Sequence, residues 1–328
     1  MASIEDNTWG VLEDAGQDGL DPKTVTLRQA SRLYREGRLN PRSGQPLSPY
    51  TVAEYARLVD KALEVFADQP LRSVTSTQVE RWWQRSFSDT PVQASRAYTH
   101  LNTVMRYALE RKWIRNNPCN IRGAGNYRPV EETEAPSQTE VALMLELTEG
   151  PVRAVLALAA HCGLRKGEIL ELRRKDISSA EEPDGVVWWY ISVRRAVRWA
   201  SENATTVGGP KSAQGTRALA VPKAGGAEEI LLEHLRTIPA HPDTLLFSRD
   251  SEGKTHWGKS TLKPHWQKVR ALAGYGGRFH SLRTYHLTWF AQRGATTREL
   301  MDRGGHSSSA MVMRYQRSTG RETSLLSG

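Results

Sequence analysis

"GVVWWYISV", residues 185–193, settles how the second half of this chain is to be read. Val186, Val187, Ile191 and Val193 are β-branched and Trp188, Trp189 and Tyr190 are aromatic, the types that suit a pleated strand. "TRALAVP", residues 216–222, is a plausible partner strand beyond the Gly-rich turn 208–215. On either side the pattern is helical. "VALMLELT" and "VRAVLALAAHCG" come before it, and helices resume from about Thr261. A small β-sheet set among helices predicts a mixed α+β domain over 137–317.

Upstream the chain reads as helices throughout. "TLRQASRLYREG" is followed by "SPYTVAEYARLVDKALEVFAD", where Val52, Ala56, Val59, Leu63 and Phe66 recur at four- and three-residue intervals and so form one apolar face. A third helix opens in "TSTQVERWWQRSF", where Thr75 and Gln78 have capping-box spacing, and a fourth runs through "VQASRAYTHLNTVMRYALERKW". Residues 22–122 are therefore predicted to form a four-helix domain. Residues 123–136, rich in Gly, Pro and acids, read as a linker, and Ser137 with Glu140 forms a capping box that opens the next domain. Residues 1–21 and 318–328 read as tails.

Charge is unevenly spread. Residues 1–21 carry six acids and no Lys or Arg, 22–125 carry 17 bases against 8 acids, and 126–328 carry 28 against 22; the sums −6, +9 and +6 return the net +9. A basic excess of this kind suggests a polyanion partner, because each cation that neutralises a phosphate releases condensed counterions. Only Cys119 and Cys162 are present, too few for a disulfide framework and without zinc-site spacing. No stretch has the length of a membrane span and the start lacks the pattern of a signal peptide, so a cytoplasmic protein is expected.

Four segments carry residues suited to chemistry. "HCGLRKGEILELRRKDI" ends a helix at Gly163 and places Arg165 in the turn before Glu168, where a turn arginine paired with that glutamate is the plainest reading. "GGPKSAQGTRALAVP" puts Lys211 on a hairpin turn, by itself a solvated lysine. "RFHSLRTYHLTWF" sets His280 and Arg283 one helical turn apart and so on one face. "GGHSSSAMVMRYQR" places His306 after two glycines and Tyr315 nine residues later. Its serines read as helix caps.

Taken together and in this order, these residues resemble the tyrosine recombinases, the phage integrases in particular. That family's order is Arg, Lys, His-x-x-Arg, His or Trp, Tyr. "GLRKGEI", "HSLR" and "GHSS" are similar to its local frames, and the 23 residues from Arg283 to His306 are similar to its spacing. Thr284 stands where a histidine commonly follows the second arginine, and Gly304 replaces the usual leucine; both bear on local packing rather than on a catalytic group.

The resemblance implies a mainly α protein with a small β-sheet: a helical core-binding domain, then a tyrosine-recombinase catalytic domain. It implies Tyr315 as nucleophile, Arg165, Arg283 and His306 as donors to a scissile phosphate, Lys211 as general acid and His280 as the group that takes or returns the nucleophile's proton. Guanidinium forks suit a phosphate because they donate in bidentate pairs that lysine cannot reproduce. No metal and no cofactor is expected, in keeping with a sequence that has no Walker loop, nicotinamide fingerprint or acidic cluster at metal spacing. Partners implied are double-stranded DNA at core attachment sites, three further copies of the chain in a tetramer, and a recombination directionality factor. Arg28, Arg32, Arg35, Arg81, Arg85 and Arg96 are the candidate DNA contacts of the helical domain. A type IB topoisomerase and a non-catalytic DNA-binding regulator on the same scaffold are the alternatives.

Overall fold

The computed structural model describes residues 20–39, 44, 46–127, 134–209 and 215–315. Lys211, most of the acidic N-terminal stretch, six residues of the linker and the chain after Tyr315 lie outside the described residues. The chain divides into two compact units, Met1–Glu131 and Glu132–Gly328.

In the first unit, α1 (Leu27–Glu36) starts at Thr26, whose side chain closes a capping box with Gln29, and α4 (Ser76–Asp89) starts at the box formed by Thr75 and Gln78. The second predicted helix is broken. It begins as α2 (Pro49–Arg57), widens into a π turn over Leu58–Ala62, and ends as the short α3 (Glu64–Ala67). The wider turn is marked by the Leu63 N–H reaching the Leu58 carbonyl at 2.9 Å, one residue beyond the α-helical partner. It leaves the Ala62 carbonyl to accept from Trp82 Nε1 at 2.8 Å. The long α5 (Pro91–Glu110) completes the unit, burying Ala97, Leu101, Val104, Met105 and Ala108 against α1 and α4. Part of the predicted linker belongs to this packing: Ala124 is buried and its carbonyl accepts from Ser95 Oγ at 2.7 Å.

The second unit is built around α7 (Gly150–Cys162). Every residue from Ala154 to Ala160 is buried, so the helix is apolar all round and runs through the core. Each fully buried leucine there contributes roughly 1.5–3 kcal/mol relative to exposure. It packs against α6 (Gln138–Glu146), which opens on the Ser137–Glu140 box, and against α9 (Ala227–Arg236) and α11 (Ser281–Gln292). Between them lie the one-turn α8 (Lys166–Ile169) and α10 (Leu262–Leu272), and α12 (Thr297–Gly304) and α13 (Ser309–Val312) follow.

The expected strand pair is present: β2 (Val187–Val193) pairs antiparallel with β5 (Arg217–Ala220), with Ile191 opposite Leu219 and Val193 opposite Arg217. A strand that the sequence reading passed over, β1 (Ile177–Glu181), flanks β2 and gives the order β1-β2-β5. The β2–β5 connection is more than the expected turn, because it holds a second hairpin, β3 (Ala196–Trp199) and β4 (Thr205–Gly208). Val197 and Trp199 tie that hairpin into the core. Helix α9 was also passed over. Its apolar residues Ile230, Leu231 and Leu235 carry the helical period in a short and acidic segment.

Candidate active site

The first glycine of the site shapes everything that follows. Gly163 closes α7 in the left-handed region, φ 66°, and a Cβ there would stand 2.6 Å from His286 Cδ2. Glycine alone meets both demands. The turn aims the Gly163 carbonyl at Arg283, whose Nη1 donates to it at 2.5 Å. Arg165, two residues on, caps α8. Its main-chain N–H donates to Glu168 Oε2 at 2.9 Å, its Nη1 to Oε1 at 2.7 Å, and its Nη2 to the Gly305 carbonyl, 140 residues away in sequence, at 3.2 Å. The turn arginine is thus paired with Glu168, as its sequence position suggested, and its second amino group still points across the site.

Arg283 lies in the first turn of α11 and is 1% exposed. Its Nη2 donates to the Gly304 carbonyl and to His306 Nε2, the latter at 3.0 Å. A guanidinium only donates, so Nε2 is the acceptor here and a single ring proton belongs on Nδ1. The His306 ring lies nearly parallel to that of Tyr315, centroids 6.1 Å apart at 22°. Tyr315 is itself 2% exposed and packs with Leu287, Ala291, Leu300 and Val312. The structure therefore gathers Arg165, Arg283, His306 and Tyr315. His280 precedes α11 and is exposed, so the expectation of one shared face with the buried Arg283 is met in spacing but not in environment. Ser308 takes the N-cap position of α13 without a side-chain capping bond, and Ser307, Ser308 and Ser309 are all exposed. The capping expected of the serines is positional only.

The charge balance is unusual for a buried place. Glu168 is the carboxylate of the site, and it is shared: Arg165 holds it on one side and Arg217 on the other, Nη2 to Oε2 at 2.9 Å and Nη1 to Oε1 at 3.2 Å. Burial pushes the Glu168 carboxyl up, but the hydrogen bonds and charge of Arg217, with Arg165, outweigh it and hold the group down at about 2. Among the described residues no carboxylate forms an ion pair with Arg283. Burial first, and the neighbouring Arg165 next, push its guanidinium down to about 9. A cation so placed, facing main-chain oxygens and an imidazole, gains most from an anion that enters. Burial raises the thiols of Cys119 and Cys162 to about 12, so neither is a ready thiolate. Among the described residues no group of three His, Cys, Asp or Glu is placed to hold a metal, and no helix is long and apolar enough to cross a membrane.

The family model described as the phage integrase family matches residues 137–322, the unit that holds this site. The chain belongs to the phage integrase family. The integrase is 34% identical over 287 residues to the phiRv2 prophage integrase of Mycobacterium tuberculosis, covering 86% of this chain and 73% of that one. It is 31% identical over 319 residues to the integrase of Mycobacterium phage L5, covering 95% and 80%. Among solved structures its fold is similar to that of the Tn1549 transposon integrase in complex with a circular intermediate DNA, with a TM-score of 0.69 at 15% identity over 93% of this chain and all, 100%, of that one. It is also similar to a lambda integrase tetramer bound to a Holliday junction, with a TM-score of 0.65 at 16% identity over 91% of this chain and 79% of that one. The integrase is thus a tyrosine recombinase by family, with the mainly helical fold and small sheet that its sequence implied.

Two arginines of the integrase escaped the sequence reading. Arg217 was legible: strand alternation puts it on the same face as Leu219 and Val221, which is the buried one. Arg303 was not. Its Nε donates to His286 Nε2 at 2.8 Å and its Nη1 to the Ala220 carbonyl at 3.0 Å, so it straps α11 to β5 just before the Gly304–Gly305 turn. His286 is the neutral acceptor in that strap, its pKa pushed well below the ordinary value by burial and then by Arg303.

The candidate DNA contacts divide. Arg28 is tied to Asp68, Nε to Oδ1 at 2.8 Å, and to Asp60. Arg35 is half-buried on main-chain oxygens, donating to Ser31 at 3.1 Å and Val52 at 3.2 Å. Arg32 is exposed and 3.9 Å from Glu36. Arg81 and Arg85, four residues apart on α4, and Arg96 on α5 are exposed.

Proposed function

We propose that the integrase cuts and rejoins DNA at specific sites by transesterification through Tyr315. The phenolic oxygen attacks the scissile phosphorus and the bond to the 5′ oxygen breaks, leaving a 3′-phosphotyrosyl link and a free 5′-hydroxyl. The tyrosine proton passes to His280, and Lys211 supplies the proton that the 5′ oxygen takes up. Charge builds on the non-bridging oxygens, where Arg165 and Arg283 donate. His306 adds a third donor once a proton sits on Nε2, which a bound phosphate favours. A 5′-hydroxyl from the same or another duplex reverses the step, so the phosphodiester is conserved without ATP.

The observation that carries this reading is Arg283: a guanidinium 1% exposed, beside Arg165 and Arg217, with the site's carboxylate already taken by those two. The helical unit supplies the DNA-holding surface in this reading, with Arg81, Arg85 and Arg96 on phosphates, and Arg28 and Arg35 occupied in the protein. Four copies acting through a Holliday junction in the cytoplasm of a bacterial host, under a directionality factor, complete it. To test the reading, the DNA flanking the integrase's own gene is incubated with the protein, quenched with detergent and searched for covalent adducts. The wild type is expected to carry a nucleotide on the Tyr315 peptide. Tyr315→Phe should bind the same DNA within a few-fold and form none. An adduct formed by Tyr315→Phe would move the chemistry to another nucleophile.

A further inference from the structure

Arg303 sits in the last turn of α12, one residue before Gly304, and among the described residues no carboxylate pairs with it. Its guanidinium directs its donors to three separate elements instead: Nε to His286 Nε2 of α11 at 2.8 Å, Nη1 to the Ala220 carbonyl of β5 at 3.0 Å, and Nη2 to the His161 carbonyl of α7 at 3.5 Å. The ring that takes Nε is itself wedged in place. His286 stacks on Phe290, centroids 6.2 Å apart at 9°, and fits under Gly163, where a Cβ would meet its Cδ2 at 2.6 Å. From the other side, Arg217 Nε donates to the Arg303 main-chain carbonyl at 3.0 Å. Burial pushes the Arg303 guanidinium below its ordinary range. An apolar side chain would fill the same place with less desolvation, so what the arginine adds is direction.

The next three residues carry the contacts of the site. The Gly304 carbonyl accepts from Arg283 Nη2, the Gly305 carbonyl accepts from Arg165 Nη2 at 3.2 Å, and His306 Nε2 accepts from Arg283 at 3.0 Å. We propose that Arg303 is a positioning residue for phosphoryl transfer, which fixes this turn against α7, α11 and β5 and so sets the aim of Arg283, Arg165 and His306. The inference rests on the reading of those two arginines as donors to the scissile phosphate. Its physical basis is the way Arg283 is held at both ends, Nη1 by the Gly163 carbonyl at 2.5 Å and Nη2 by the Gly304 carbonyl. Both anchors lead back to Arg303, which bonds His161 two residues before Gly163 and stands one residue before Gly304. A lysine at 303 retains the charge, but one compact ammonium cannot meet acceptors on three elements at once. The turn then gains freedom, and the guanidinium planes drift with it from the phosphate oxygens.

The test uses the full-length protein and a nicked suicide core site from the gene's flanking DNA, in two forms: a normal scissile phosphate, and a methylphosphonate in which a methyl group replaces one non-bridging oxygen. The methylphosphonate is neutral, so its cleavage leans far less on cationic donors. Arg303→Lys should bind either DNA within about 3-fold of wild type, because so buried a side chain neutralises no phosphate, and melt within about 5 degrees of it. On the normal phosphate its covalent-complex formation should fall about 100-fold, the scale of a misplacement of about 1 Å. On the methylphosphonate it should stay within about 5-fold of wild type. Arg165→Ala is the reference for this contrast and should show it more strongly. Arg303→Leu combined with His286→Phe removes donor and ring acceptor together; it should show the same contrast, and it decides the matter if Arg303→Lys does not fold. Cleavage of the normal phosphate by Arg303→Lys within about 3-fold of wild type, or equal losses on the two substrates, overturns the proposal. If Arg165→Ala itself loses equally on both, the reading of the arginines as phosphate donors has failed, and the proposal falls with it.

Discussion

Gly304 ends α12 and lies directly under the His306 ring. A Cβ at this position would stand 2.5 Å from His306 Nδ1, 2.7 Å from Cε1 and 3.2 Å from Arg283 Nη2. Ordinary contact begins near 3.4 Å, so in Gly304→Ala the ring must retreat by about 0.9 Å, the difference from 2.5 Å. Its main chain is fixed, since the His306 N–H donates to Met301 at 2.9 Å, and the retreat therefore falls on the side chain and on its 3.0 Å bond to Arg283. A hydrogen bond to a charged group contributes about 1.5–3 kcal/mol, and a displaced transition-state donor costs about 100- to 1,000-fold in rate. The backbone pulls the other way: in a helical position alanine is favoured over glycine by about 1 kcal/mol. Gly304→Ala should therefore melt somewhat below wild type, since the gain offsets only part of the loss, and bind core DNA within a few-fold, while single-turnover formation of the covalent complex falls about 100-fold. Wild-type cleavage by this variant would mean that the ring has another productive seat, and that its contact with Arg283 does not matter to the chemistry.

Two further outcomes follow from the charges. The Glu168 carboxyl, held at about 2 against an ordinary 4.5, stabilises the fold fully above pH 4.5 and loses that contribution as pH falls through about 2. The difference in unfolding free energy between wild type and Glu168→Gln should accordingly shrink by about 3 kcal/mol between pH 6 and pH 2, measured by denaturant titration; a difference independent of pH would remove the ion-pair argument. In the helical unit, Arg81→Ala and Arg96→Ala should each weaken DNA binding and lower its salt slope by about 1, whereas Arg28→Ala, whose guanidinium already serves Asp60 and Asp68, should leave the slope unchanged. A slope lowered by Arg28→Ala alone would put Arg28, and not Arg81 or Arg96, on the phosphates.

The sequence alone determined what depends on near neighbours in the chain. Thr26, Thr75 and Ser137 open helices because each finds its capping partner three residues on, α5 follows from an apolar period that repeats every turn, and α7 follows from an unbroken apolar run. The order of Arg165, Lys211, His280, Arg283, His306 and Tyr315 was legible as a pattern, and with it the family. The π turn at Leu58–Ala62, the β3–β4 hairpin and α9 were not, because their reasons lie in packing against elements far along the chain. Tertiary structure also decided which arginines are free to meet a phosphate. Arg28, Arg81 and Arg96 look alike in sequence, yet Arg28 is spent on two aspartates 32 and 40 residues away. In the site, Arg165 and Arg217 meet at Glu168 although Arg217 lies 49 residues further on, and that shared carboxylate is what leaves the buried Arg283 without a counter-ion among the described residues. Capping and periodicity are local and therefore written in short stretches of sequence; the sharing of one carboxylate between two guanidiniums is fixed only when the chain has folded back on itself.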